Sequence, residues 1–186
     1  MLYDFNKMSE VLNMRVEAPI KVDRKTKRLA KRLTGREIAV INHMDIDEVA
    51  ANSLVEGKVK LVINAAQSIS GKYPNKGPGI LTDKNILIID NVGQELFDEL
   101  KEGQIIEVNN GQIYRDGQLL GEGSVLDKDK VAIKIKEAYD NMSVELDRFI
   151  DNTIEYAKKE KGFILGEVEI PKVKTKYKDR HVLVVV

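Results

Sequence analysis

From Gly35 onward the chain alternates short continuous apolar runs with amphipathic segments. EIAVIN (37–42), VKLVIN (59–64) and ILIID (86–90) are runs of the kind that predict strands buried on both faces. Between the first two, DIDEVAANSLVEG reads as a helix stopped by Gly57. Asp45 and Glu48 stand at capping-box spacing before it, with aspartate in place of the usual serine or threonine. GQELFDELKEG (93–103) reads as a further helix closed by glycine. This alternation predicts a parallel sheet with right-handed crossovers. The pattern then changes. In QIIEV-NNG-QIYR-DG-QLL (104–120), Asn-Gly and Asp-Gly separate short apolar runs, which predicts an antiparallel meander with tight hairpin turns.

Residues 127–161 contain neither glycine nor proline and predict one long helix. Its apolar stripe is Val131, Ile135, Ala138, Met142, Leu146, Phe149, Thr153 and Tyr156, a near-heptad seam with one stutter. At 1.5 Å per residue it spans roughly 50 Å, longer than a compact domain of this size. Part of it is expected to pack elsewhere, most simply against a second copy as a homodimer.

The two ends read differently. Residues 1–20 are weakly patterned, with a break at Pro19. KVDRKTKRLAKRLTGR (21–36) carries eight basic residues against the single acid Asp23. Without interleaved aromatics it reads as a short solvated helix ending at Gly35 rather than as a nucleic-acid arm. After the long helix, Pro171 and a lysine-rich run form a linker, and HVLVVV (181–186) reads as a buried strand. One such strand needs a sheet around it, so the protein is expected to continue into a further α/β domain. The expected organisation is a basic arm or helix (1–34), an α/β domain (35–125), a connecting helix (126–162), a linker (163–180) and the start of another domain (181–186).

Composition narrows the function classes. The 186 residues hold 30 basic and 30 acidic side chains, so net charge gives no general pull toward nucleic acid or anionic lipid. There is no cysteine, hence no disulfide framework and no thiolate chemistry. No stretch approaches the ~20 apolar residues of a membrane span, and the N-terminus lacks the layout of a signal peptide. The expectation is a soluble, cytoplasmic protein.

The candidate chemistry lies where the predicted parallel strands end. Strand one runs into Asn42, His43 and Asp45, strand two into Asn64, Ser68 and Ser70, and strand three into Asp90 and Asn91. Ligands of open α/β sheets bind outside the carboxyl ends of the strands, although Asn, Asp and Ser also populate loops for local reasons. The loop after strand two, SISGKYPNKGPG, adds Gly71, Lys72, Tyr73 and Asn75, and its backbone N–H groups with Lys72 and Lys76 are suited to an anion-holding nest. His43 is one of two histidines; it reads as a structural residue or as an acid/base partner of Asp45. No Walker A sequence, GxGxxG fingerprint or HExxH spacing is present, no serine or cysteine is placed to complete a triad, and no cofactor is indicated.

Two resemblances extend this reading. Residues 36–120, with the late LKEGQIIEVNNGQIY segment, are similar in layout to the swivelling β/β/α domain that carries phosphohistidine in phosphoenolpyruvate-utilising enzymes. The loop that bears the phosphorylated histidine there reads SISGKYPNKGP here and holds no histidine, so phosphotransfer by that route is not expected. Most of 36–186, through AVINHMDIDEVAANSLVEGKVKLVINAAQSISGKYPNKGPGIL, FIDNTIEYAKKEKGFIL and RHVLVVV, resembles the SteA family of cytokinetic-ring proteins. That resemblance implies that RHVLVVV opens a domain similar to thiamine pyrophosphokinase, with any nucleotide or thiamine site beyond residue 186. It also implies membrane association of the full-length protein, a membrane-protein partner at the division site and a link to control of peptidoglycan hydrolysis. Two functions follow as expectations: a non-catalytic ligand-binding and assembly module, or part of an enzyme. In the enzyme reading this domain acts on a phosphorylated small molecule through His43, Asp45 and Lys72, or the main catalytic site, for thiamine or a nucleotide, lies beyond residue 186.

Overall fold

The computed structural model describes residues 15–167, together with 178 and 181. Eight strands form one mixed sheet in the order β7-β6-β5-β1-β2-β3-β4-β8. In chain order the strands are β1 (Arg15–Asp23), β2 (Ile38–Ile41), β3 (Leu61–Asn64), β4 (Leu87–Asp90), β5 (Ile105–Asn109), β6 (Gln112–Arg115), β7 (Gln118–Glu122) and β8 (Ser124–Leu126). The helices are α1 (Thr26–Ala30), α2 (Glu48–Glu56), α3 (Gly77–Asp83), α4 (Gln94–Glu99) and α5 (Lys128–Ile164). The chain divides into two compact units at Val144/Glu145. The sheet lies in the first, and the second begins within α5.

The expected parallel core is present: β1, β2, β3 and β4 run parallel to one another. Side chains alternate across it. Ala39, Ile41, Val62 and Ile88 pack on one face with Leu29 of α1, Ala50, Ala51 and Leu54 of α2, Leu81 of α3 and Val131 of α5. Ile38, Val40, Leu61, Ile63 and Ile89 pack on the other with Leu96 and Phe97 of α4 and with Ile106, Val108 and Ile113 of the antiparallel strands. Both faces are covered, which is why these strands read as unbroken apolar runs rather than alternating ones. The meander β5–β6–β7 has the expected turns: Asn110, Gly111, Asp116 and Gly117 all take positive φ, between 51° and 88°.

Several expectations are corrected. Residues 15–23 are not an unpatterned lead-in to a basic arm but an interior strand of the sheet. β1 pairs antiparallel with β5 through residues 15–19 and parallel with β2 through residues 20–23. Pro19 stands where one pairing hands over to the other, so its missing N–H leaves no ladder position unfilled. The helix expected over 21–36 shrinks to the five residues of α1. Asp45 does not cap α2; Asp47 does, accepting from the Ala50 N–H at 2.7 Å. The loop after β3 contains a helix of its own, α3, with Pro78 in its first turn. α4 stops at Glu99 because Leu100 turns extended, and Gly103, at φ 85°, starts the return beside β1.

β8, also unforeseen, pairs antiparallel with β4 at the far edge. Only Gly123 separates it from β7 at the opposite edge, so the sheet rolls until its two edges meet. Gly123 has no room for a side chain there: a Cβ would lie 2.6 Å from Val92 Cγ1 and 2.7 Å from the Asp90 carbonyl oxygen.

α5 is a single helix of 37 residues, as the apolar stripe predicted. Its first turns belong to the sheet unit, where Val131 and Ala138 are buried and Ile135 packs against the core. The start of the helix thus shares a core with the sheet. Beyond Val144 the stripe is open: Leu146, Phe149 and Tyr156 are 54%, 66% and 68% exposed. Apart from residues 178 and 181, the linker and strand expected after residue 167 lie outside the described residues.

Candidate functional site

The carboxyl ends of the parallel strands bring together most of the predicted site residues. Their side chains are largely spent on one another. Asn64, fully buried at the end of β3, accepts the His43 N–H at 2.9 Å through Oδ1. Its Nδ2 donates to the His43 carbonyl and to Ser68 Oγ, each at 2.8 Å. Ser68 in turn donates its N–H at 2.8 Å and its hydroxyl at 2.6 Å to Asp90 Oδ1. The network runs from the end of β2 through β3 and its loop to the end of β4. A buried polar group left unpaired costs far more than a paired one gains, so the network fixes these three chain ends relative to each other.

Asp90 is the most deeply placed acid of this edge, 3% exposed. Burial raises its carboxyl above the usual aspartate range, opposed by the two Ser68 hydrogen bonds and by the positive charge of Lys134 on α5. Asn91, just after it, is exposed and left-handed at φ 58°.

A second set of bonds closes the SISGKYPNKGPG loop over the loop after β2. Asp45, at φ 53°, accepts the Ser70 N–H at 2.7 Å and the Ser70 hydroxyl at 2.9 Å on its two carboxylate oxygens. The Asp45 and Ile46 N–H groups donate to the carbonyls of Gln67 and Ser68. Asn75 Nδ2 donates to the carbonyls of Ile46 and Ser68, at 2.9 and 2.8 Å, while its Oδ1 is buried without a partner. Gly71 is left-handed at φ 82°, and its carbonyl accepts from Asn141 Nδ2 of α5 at 3.0 Å. The loop is thus pinned from both sides, and its tip faces solvent. Lys72 is exposed and Tyr73 is 65% exposed.

His43 and Asp45 do not meet as an acid/base pair. His43 Nδ1 shares a hydrogen bond with Thr26 Oγ1 of α1 at 2.9 Å, while Asp45 is held by Ser70. Asn42 Nδ2 donates to Gln94 Oε1 at the start of α4. Thr26, Gln94, Lys134 and Asn141 thus complete the site, and none was foreseen. Each comes from a helix that only the tertiary fold brings to the strand ends, so no local spacing marks it. Lys76, proposed beside Lys72 for an anion nest, instead lies 3.7 Å from Glu48 at the start of α2.

In chemical terms the side chains of this edge fall into two groups. Its buried hydroxyl and carboxylate are bonded to each other, and its free groups are an ammonium, a phenol and an exposed amide at Lys72, Tyr73 and Asn91. Among the described residues no group of three or more His, Asp or Glu side chains is arranged to hold a metal ion. Nor is any helix among them long and apolar enough to cross a membrane. Comparison with protein-family models, with curated proteins and with solved structures finds no match to this chain.

Proposed function

We propose that this chain is a non-catalytic binding and assembly module of a SteA-like protein. One observation carries the reading: α5 leaves the sheet unit with Leu146, Phe149, Tyr156 and Phe163 all more than half exposed. Side chains of that size left in water at ~25 cal/mol per Å² are a strong incentive to find a partner. In this reading the rolled mixed sheet is a swivelling β/β/α-type domain. The loop tip at Lys72 and Tyr73 is its ligand-facing element, held on the platform of Asn42, His43, Asp45, Asn64, Ser68, Ser70, Gly71, Asn75, Asp90 and Asn91. The role at the division site, with a membrane-protein partner and control of peptidoglycan hydrolysis, follows the sequence resemblance.

The alternative of an enzyme acting through His43, Asp45 and Lys72 has less support, because His43 and Asp45 are separately engaged. The test is sedimentation of the whole chain beside a variant carrying Leu146→Glu, Phe149→Glu and Tyr156→Glu. The wild type is expected to associate at micromolar concentration, and the variant to be monomeric with an unchanged circular dichroism spectrum. A monomeric wild type sinks the assembly reading. For the ligand, thermal shift with nucleotides, thiamine, sugar phosphates and peptidoglycan fragments is expected to give a shift that Lys72→Ala with Tyr73→Ala removes.

A further inference from the structure

The basic run around α1 divides its arginines from its lysines. Arg24 pairs with Asp98 at 2.9 Å, Arg32 pairs with Glu102, and Arg28 takes both carboxylate oxygens of Asp23, at 2.5 and 2.9 Å. Lys25, Lys27 and Lys31 are exposed, and none of them makes an ion pair among the described residues. With Arg28 these three lysines line a depression of about 270 Å³. The turn that carries them cannot spread them apart. Leu29 is fully buried in the core, Thr26 is bonded to His43, and Asp23 clamps Arg28. α1 itself holds no acid, and Lys27 and Lys31 stand one turn apart, a spacing at which like charges repel. The fold thus maintains a knot of positive charge that its own carboxylates leave only partly compensated.

We infer that this depression is a binding site, separate from the loop at Lys72, for a small soluble molecule carrying two or more linked phosphoryl groups. It lies where α1 leaves the parallel half of β1, the edge at which ligands of such sheets bind, but two strands away from β3 and its loop. Four cations around so small a depression match several negative charges held close together, and a single phosphate meets only part of the set. The lysines supply rotatable charged donors, and Arg28, fixed by Asp23 with its side chain 69% exposed, supplies an oriented one. A nucleic-acid strand or an anionic membrane calls for a broad positive surface. Here Asp98 and Glu102 neutralise the neighbouring Arg24 and Arg32, and no lining residue is aromatic, so no base has a ring to stack on.

Calorimetric titration of the whole chain with orthophosphate, pyrophosphate and tripolyphosphate tests the site, at physiological salt so that diffuse surface attraction is screened. Affinity is expected to rise in that order. Lys27→Gln with Lys31→Gln should weaken tripolyphosphate binding about tenfold or more, and Lys25→Gln alone several-fold. The charge-matched pair Lys60→Gln with Lys84→Gln, exposed lysines outside the depression, should leave it within about twofold. Equal losses in the two double variants, or tripolyphosphate binding no tighter than orthophosphate, reduces the effect to general electrostatics and overturns the proposal. Loss of binding in Lys72→Ala places the anion at the loop and overturns it as well. So does tight binding of short duplex DNA or of phosphatidylglycerol vesicles by a chain that ignores tripolyphosphate. An unchanged circular dichroism spectrum in each variant excludes misfolding as the cause.

Discussion

Asn64 grips the main chain of His43 from both sides, taking its N–H at 2.9 Å and giving a hydrogen to its carbonyl at 2.8 Å. The amide does both at once through separate atoms, Oδ1 accepting and Nδ2 donating. Asn64→Asp keeps the acceptor, removes two donors, and places a carboxylate at a fully buried position one serine away from Asp90. The expected cost is about 3 kcal/mol at neutral pH, in line with an uncompensated buried charge. Urea unfolding measures it. A loss below ~1 kcal/mol would mean that the clamp does not hold the strand ends.

Asp90 makes stability depend on pH in a direction opposite to most aspartates. Its folded-state pKa is raised by burial, so its contribution is complete below the unfolded-state value and fades as pH rises through the raised one. Asp90→Asn keeps an acceptor for Ser68 and cannot ionise. It is expected to flatten the decline in stability above the ordinary aspartate range, leaving the variant at least as stable as the wild type at neutral pH. Parallel stability–pH curves for the two proteins would refute this.

Asp23 behaves the other way. At the end of β1 its nearly buried carboxylate is held below the usual range, first by the Arg28 hydrogen bond, against the cost of burial, and further by the Lys25 N–H and the charge of Arg32. Its stabilisation is present above the unfolded-state pKa and is lost as pH falls through the depressed folded-state value. Asp23→Asn should cost about 2 kcal/mol at neutral pH and remove that part of the acid-side decline. Equal acid midpoints for the two proteins would count against it.

Gly77 is required for space rather than for backbone freedom. A Cβ there would sit 2.0 Å from the Ile46 carbonyl oxygen and 2.7 Å from that of Asp47, both main-chain atoms. Gly77→Ala is expected to cost about 3 kcal/mol through forced separation of α3 from the loop after β2. Gly79→Ala, two positions on, meets only Ile135 Cδ1 at 3.9 Å and should be neutral or mildly stabilising. Thermal denaturation of the pair separates packing from helix propensity, and equal melting temperatures would contradict it.

The elements with strong local signals were legible. β2, β3 and β4 are apolar runs, the two hairpins carry Asn-Gly and Asp-Gly, and α5 has an unbroken stripe. β1 had a signal as well: Val16, Ala18, Ile20 and Val22 alternate with polar residues, but Pro19 and the basic run that follows obscured it. α3 was hidden because GPGILTD begins with helix breakers and is held by contacts with α2 and α5 rather than by propensity. β8 has three residues and exists as a strand only because β4 offers an open edge. At the site the strand-end residues could be named from chain order. Their mutual bonding could not, since Asn64, Ser68 and Asp90 bond across three elements. Nor could the opposed fates of His43 and Asp45, which Thr26 and Ser70 draw apart.

The handover at Pro19 has a consequence for synthesis. β1 is made before β5, yet the partner of its first half lies there, and Arg15 pairs with Glu107 at a separation of 92 positions. While the ribosome produces the intervening chain, the parallel strands β2, β3 and β4 can gather on the second half of β1, leaving its first half as a bare template. An unpaired strand end of that kind is where a nascent chain recruits wrong neighbours. Arg15 and Glu17 on the waiting half, and Pro19 at its limit, are the residue types that discourage such pairing until β5 arrives.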